Sequence, residues 1–169
     1  MISEIKFRKA TQEDADKIWE ILQQAIERRR LDNSQQWQNG YPNPETVHSD
    51  IEKQIGYVLV ENDNVVAYSA VILNDEPAYE NIEGKWLSDG DFNVVHRLAV
   101  SDEVAGKGYA TEIFRRIEDL SRQNGIFSVK VDTNFDNAAM LHLLKKLGYT
   151  YCGKVYLAGG ERKAFEKLL

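Results

Sequence analysis

The sequence predicts a mixed α/β (α+β) fold in a single domain spanning residues 1–169. Two observations lead there. The predicted elements run β, α, α, β, β, β, α, β, α, β, β, which calls for a mixed sheet with helices packed on it. Antiparallel strands fill the first half and only one clear βαβ unit remains, which disfavours a doubly wound dinucleotide-binding fold.

Composition narrows the function classes. A chain of 169 residues with 43% hydrophobic and 28% charged residues can bury a real core as a soluble domain. The net charge of −6 argues against general nucleic-acid binding, because phosphates would be repelled, and it mildly favours a basic small-molecule or peptide substrate. The one cysteine, Cys152, excludes an internal disulfide and fits a reducing compartment. No signal peptide, membrane-spanning run or lipidation motif is present, so the expected location is the cytoplasm, with no membrane partner.

From the start, Ile2 to Ala10 reads as a strand, with Ile5 and Phe7 alternating against Lys6 and Arg8. Thr11 opens a helix, supported by Asp14 in a capping arrangement. Ala15, Ile18, Trp19, Leu22, Ala25 and Ile26 form its apolar face. Arg28, Arg29 and Arg30 end it as a solvated, dipole-favoured helix terminus. The polar loop that follows carries Trp37 and Tyr41, which either line a substrate site or pin the loop to the body.

Pro44 to Ile55 reads as a second helix, with Gly56 as its stop. Residues 57–61 and 65–72 are strands joined by Glu61-Asn62-Asp63-Asn64, a hairpin turn. Asn74 to Asp91 is an acidic loop in which Tyr79 and Trp86 either shape an acceptor pocket or cover the core.

The chemistry concentrates in Asn93 to Gly125. Val94-Val95 and Leu98-Ala99-Val100 make a strand buried on both faces, interrupted by His96-Arg97. From Ala110 the period becomes helical, with Ile113, Phe114, Ile117 and Leu120 on one face. Between them, Gly106 and Gly108 let the backbone approach a ligand, Lys107 adds charge, and the helix start offers unpaired N–H groups. Together they suit a phosphate or pyrophosphate; the plainer reading is a tight turn. A P-loop is excluded because Gly108 follows Lys107, and a dinucleotide loop because Thr111 stands at the third glycine.

The remainder reads as a strand over 127–132, a helix carrying Met140, Leu143, Leu144 and Leu147 and ended by Gly148, and two strands, 149–156 and 162–165, around Gly159-Gly160. His48, His96 and His142 are far apart in sequence, so no metal site is expected.

Ala105-Gly106-Lys107-Gly108-Tyr109-Ala110 resembles the acetyl-CoA loop of the GCN5-related N-acetyltransferases, [QR]-x-x-G-x-[GA]. Ala105 departs from the usual Gln or Arg. Asn137 to Tyr149 is similar to the same family's N-x-x-A-x-x-x-Y-x-x-x-G-F block, with Asn137, Gly148 and Tyr149 fitting. Met140 replaces its alanine, and Leu144 stands where the family often has a tyrosine general acid. The resemblance covers nearly the whole chain. It implies a mostly antiparallel twisted sheet of six to seven strands flanked by about four helices.

By the same resemblance the chain moves an acetyl group from acetyl-CoA to an amine of a small molecule or peptide. Leu98, Ala99 and Val100 would lie along the cofactor, with a backbone N–H around Leu98 facing the thioester oxygen. The loop Ala105 to Ala110 would hold the pyrophosphate, and Asn137 would contact the pantetheine arm. His96 is the expected base, since its ordinary pKa lies near neutrality; otherwise it is a hydrogen-bonded core histidine. His142, Tyr151 and Tyr156 are candidate acids in place of Leu144. Dimers are common in the family, so a homodimer is one expected assembly. The competing reading is a catalytically impaired acyl-CoA sensor or scaffold of the same fold.

Overall fold

The computed structural model describes residues 4–158 and 160–169. Its strands are β1 (Ile5–Lys9), β2 (Gly56–Glu61), β3 (Asn64–Leu73), β4 (Glu83–Gly84), β5 (Asn93–Val100), β6 (Ser128–Thr133), β7 (Thr150–Leu157) and β8 (Gly160–Leu168). The α-helices are α1 (Ala15–Leu31), α2 (Pro44–Glu52), α3 (Tyr109–Gln123) and α4 (Ala138–Lys146). The strands form one sheet in the order β1-β2-β3-β5-β6-β8-β7-β4. All neighbours are antiparallel except β5 and β6.

The strand count exceeds the expectation because of β4. Its two residues lie inside the acidic loop and carry no alternating pattern. Backbone proximity makes the pairing: a Cβ on Gly84 would lie 2.1 Å from the Cys152 carbonyl oxygen, and one on Gly153 would lie 2.2 Å from that of Glu83. Ile2 and Gly159 fall outside the described residues; the first strand is described from Ile5.

Local signals explain most element ends. Thr11 opens a short 3-10 turn that runs into α1, and its N–H donates to the Asp14 carboxylate at 2.8 Å. Asn43 caps α2 with Pro44 at its first position. That helix stops at Glu52, ahead of the expected Ile55. Gln54, not Gly56, takes the left-handed conformation, and Gly56 instead opens β2 against Tyr68. Asn62 and Asp63 both have positive φ, which makes the β2–β3 turn the twisted kind that hairpins favour.

The two sheet faces bury different clusters. On one, α3 and α4 set Ile113, Phe114, Ile117 and Leu144 against Val95, Val129 and Val131. On the other, α1 and α2 cover Val58, Val60, Tyr68 and Ala99. Farther along that second face, Tyr79, Trp86 and Phe92 cover Val94, Val155 and Ala164. Neighbouring strand residues such as Val94 and Val95 serve opposite faces, as a pleat requires.

The sheet opens at its centre. β5 and β6 pair only through Asn93↔Val129, Val94↔Lys130 and Val95↔Val131. Beyond Val95, β5 continues to Val100 without a neighbour on that side. Its other edge carries a bulge. Tyr68 faces Ala99 and Ala70 faces His96, so β5 spends one more residue than β3 over that span. Arg97, in the bulge, has φ +55°.

Candidate active site

A cavity of about 360 Å³ occupies the gap where β5 and β6 part. Val95 and Val131, from the face under α3 and α4, line it together with His96 and Asp132. Asn137 and Met140 close it from α4, and Trp37 and Tyr41 close it from the loop after α1. The cavity is therefore bounded from both sides of the sheet.

His96 Nε2 lies 2.8 Å from Glu76 Oε2, and both side chains are mostly buried. An ionised carboxylate can only accept, so Nε2 carries a proton; in the neutral ring the lone pair is then on Nδ1. Among the described residues Nδ1 has no hydrogen-bond partner. The bond from His96 holds the Glu76 carboxyl below its ordinary pKa against the opposing effect of burial. Asp132, also on the cavity wall, accepts a hydrogen bond from the Tyr79 hydroxyl at 2.6 Å. Burial raises the Asp132 carboxyl and pushes the Tyr79 phenol well above its usual value. Tyr79 is thus both core and a second support of the site, with the Trp86 indole N–H donating to its carbonyl.

Arg97 reaches from the bulge to Asp50 on α2 in a two-pronged ion pair of 2.9 and 2.7 Å. Tyr68 also donates to Asp50, at 2.6 Å, and the Arg97 guanidinium donates to the Tyr41 hydroxyl at 2.6 Å. Asp50 and Tyr41 together raise the Arg97 pKa despite its burial.

The loop after α1 is tied across the cavity to the start of α4. Ser34 donates to Asp136 at 2.6 Å, and Asn137 Nδ2 donates to Gln36 Oε1 at 3.0 Å. Asn137 also accepts from the Met140 N–H, so it starts the helix as expected. Trp37 and Tyr41 line the cavity and also fasten the loop, Trp37 by packing on the α1–α2 cluster and Tyr41 through Arg97.

The opened edge of β5 leads from Leu98 through Ala99 and Val100 to the glycine loop; of these only Leu98 lines the cavity. Arg28 fixes the end of the edge, donating to the Val100 carbonyl at 2.9 Å and pairing with Asp102. Ala105, Gly106, Lys107 and Gly108 are exposed, and Tyr109 and Ala110 begin α3. Gly106 and Gly108 have φ of +77° and +83°, and a Cβ on either would meet no protein atom within 4 Å. The glycines are thus required by backbone conformation, and the space beside them is open. Tyr109 donates to Glu61, anchoring the helix start to β2.

Leu144 is fully buried among the residues of the α3–α4 face, in keeping with its place in the apolar stripe of the helix, and lies off the cavity wall. Other expectations need correction. None of the proposed replacement acids reaches the cavity: His142 is exposed on α4, Tyr151 is 51% exposed on β7, and the Tyr156 hydroxyl donates to Glu83. Nor are the three arginines simply a solvated helix end. Arg28 holds Val100, Arg30 pairs with Glu27, and Arg29 lines the cavity. Glu76, Asp50, Asp132 and Arg162 were not foreseen. Each meets the site through contacts distant in sequence, and only the acidity of residues 74–91 hinted at Glu76.

A family model described as the acetyltransferase (GNAT) family matches residues 16–149. No curated protein matches the chain in sequence. A GNAT-family acetyltransferase from Streptococcus agalactiae is 33% identical and superposes with a TM-score of 0.89, over 98% of this chain and 95% of that one. The fold is shared more distantly with a GNAT-family acetyltransferase from Listeria monocytogenes, at 15% identity and TM-score 0.79, over 100% and 99% of the two chains. It is also shared with the NatC complex bound to Gag peptide and CoA, at 14% identity and TM-score 0.69, over 98% and 99%. On a family match across most of its length, borne by a fold whose central strands part beside a glycine loop, the chain belongs to the GNAT acetyltransferases.

Proposed function

We propose that the chain transfers the acetyl group of acetyl-CoA to a primary amine by direct attack while both are bound. The observation that carries this reading is the gap between β5 and β6, which joins a carboxylate-backed histidine to an unpaired strand edge that leads to a two-glycine turn with open space beside it. Family membership makes acetyl-CoA the expected donor, and a structural neighbour holds CoA on the same fold.

The residues present fit that donor. Gly106 and Gly108 leave room for a pyrophosphate beside the first turn of α3, whose N–H groups lack intrahelical partners. Lys107 adds positive charge there. The edge from Leu98 to Val100 offers backbone groups to a pantetheine arm, and Asn137 and Met140 flank it from α4. Acetyl-CoA supplies the activated acyl group, and its thiol leaves readily enough near neutral pH that the apolar Leu144 is no obstacle.

The chain's own groups handle the amine. Asp132 and Glu76 attract it as an ammonium ion. His96 Nδ1 accepts its proton, leaving the neutral nucleophile, and Glu76 steadies the imidazolium that results. A backbone N–H near Leu98 donates to the carbonyl oxygen as negative charge grows there. Trp37 and Tyr41 form the acceptor wall.

The test is calorimetric titration with acetyl-CoA, then CoA release over a panel of amines. Micromolar binding and amine-dependent release, with intersecting double-reciprocal plots, support direct transfer. Absence of acetyl-CoA binding defeats the reading, and parallel plots defeat the ternary complex.

A further inference from the structure

The cavity holds charges that transfer to a bare amine does not use. Arg29, at the end of α1, and Arg162, on β8, both line it. Among the described residues neither guanidinium forms an ion pair, although the chain carries a net charge of −6. Arg97, on the same wall, is answered by both oxygens of Asp50. Arg162 donates to the Asn134 side-chain oxygen at 3.1 Å and to a backbone carbonyl, both neutral groups. The side chain of Arg29 has no hydrogen-bond partner among the described residues. Burial and the neighbouring Arg28 disfavour its charge, outweighing the more distant Asp32 and Asp136, which favour it.

A half-buried guanidinium with no paired carboxylate on a cavity wall keeps its donors available to a ligand. The planar guanidinium fork suits a carboxylate or phosphate. The same cavity also carries acidic groups, Glu76 bonded to His96 and Asp132 within reach of the Arg162 charge. A site lined by charges of both signs suits a ligand that carries both signs. Size points the same way. About 360 Å³ lies near the lower limit for a ligand site, and the acceptor shares it with the end of the donor.

We infer that the acceptor is a small amine bearing an anionic group, its nitrogen at His96 and its carboxylate or phosphate on Arg29 and Arg162. This rests on the transferase reading and narrows its acceptor class. The acidic composition alone would favour a purely basic acceptor; the arginine-lined wall disfavours a polyamine.

The experiment compares matched acceptors with the intact chain and acetyl-CoA, reading CoA release. One arm is a set of amino acids, each against its decarboxylated amine. A second is O-phosphoethanolamine against ethanolamine. A third is short peptides with free N-termini. Higher kcat/KM for the anionic member of a pair supports the inference, and the first two arms tell carboxylate from phosphate. In Arg29→Gln and Arg162→Gln the preference for the anionic member falls roughly ten- to a hundredfold, mostly through KM, as expected for loss of a charged hydrogen bond. Partial recovery in Arg29→Lys separates lost charge from lost folding. Equal or better turnover of the uncharged partners or the peptides, unchanged by Arg29→Gln and Arg162→Gln, overturns the inference and leaves the transferase reading standing. Acetyl-CoA binding with no turnover of any amine defeats both.

Discussion

Asp50 on α2 grips Arg97 in the bulge of β5 through two hydrogen bonds of 2.7 and 2.9 Å. Their side chains are only 5% and 10% exposed. The pair connects the helix layer to the residue of the central strand that sits in the left-handed region, next to His96. A non-glycine residue held there is strained by about 1–3 kcal/mol, so something must fix it. Asp50, with Tyr68 as its second donor, supplies the restraint.

Asp50→Ala leaves Arg97 buried without a counter-charge. We expect a loss of about 3–5 kcal/mol in unfolding free energy. Urea denaturation measures it, and a loss under 1 kcal/mol would show that water reaches Arg97 freely.

His96→Gln removes the proposed base while keeping similar bulk. At neutral pH kcat should fall about 10²- to 10⁴-fold, with acetyl-CoA affinity unchanged by calorimetry. Glu76→Gln keeps the ring in place but removes the charge behind it, so a smaller fall in kcat is expected. A His96→Gln enzyme as fast as the wild type would leave His96 a core residue only.

The Glu76–His96 bond also makes stability depend on pH. The Glu76 carboxyl is held below its ordinary value, chiefly by His96. A group whose folded pKa is depressed stabilises the fold above its unfolded pKa, near pH 4, and loses that contribution as pH falls through the folded value. Glu76→Gln should therefore cost about 1.5–3 kcal/mol at neutral pH. Denaturation of both proteins between pH 7 and pH 3 should show the difference closing in acid. A gap of constant size would mean the carboxylate's charge plays no part.

Gly108→Ala tests the anion turn. The methyl group meets no protein atom, so the folded state bears only the strain of a left-handed alanine, about 1–2 kcal/mol. Gly125, at the far end of α3, has φ +73° and equally open surroundings, so Gly125→Ala is the control. Both should lower the melting temperature similarly, while only Gly108→Ala weakens acetyl-CoA binding. Equal affinities would place the pyrophosphate elsewhere.

What the sequence made legible was local. The periodicity of Ile113, Phe114 and Ile117 marks α3, and the run from Val94 to Val100 marks the central strand. Gly106 and Gly108 mark the turn between them because their conformation restricts residue choice directly. The partners of the site were not legible. Glu76 meets His96 across 20 residues and Asp50 meets Arg97 across 47, and no pattern along the chain encodes such pairings. β4 was hidden for a related reason, since two residues held by backbone contact leave no alternation to read. Leu144 shows the opposite limit: its helical spacing announced a core position, which the structure confirms, while the motif around it suggested an acid.

The parted strands also bear on how the molecule holds together. Only three residue pairs join β1-β2-β3-β5 to β6-β8-β7-β4, so the sheet is two blocks meeting at a short seam, backed by α3 and α4. A ligand lying along the free edge of β5 acts as a missing strand and clamps the blocks together. Its binding energy becomes folding energy, about 2.7 kcal/mol at a concentration one hundred times its Kd. With the donor placed on that edge as proposed, unpaired amide hydrogens between His96 and Val100 should exchange more slowly, because it would take the position of a further strand.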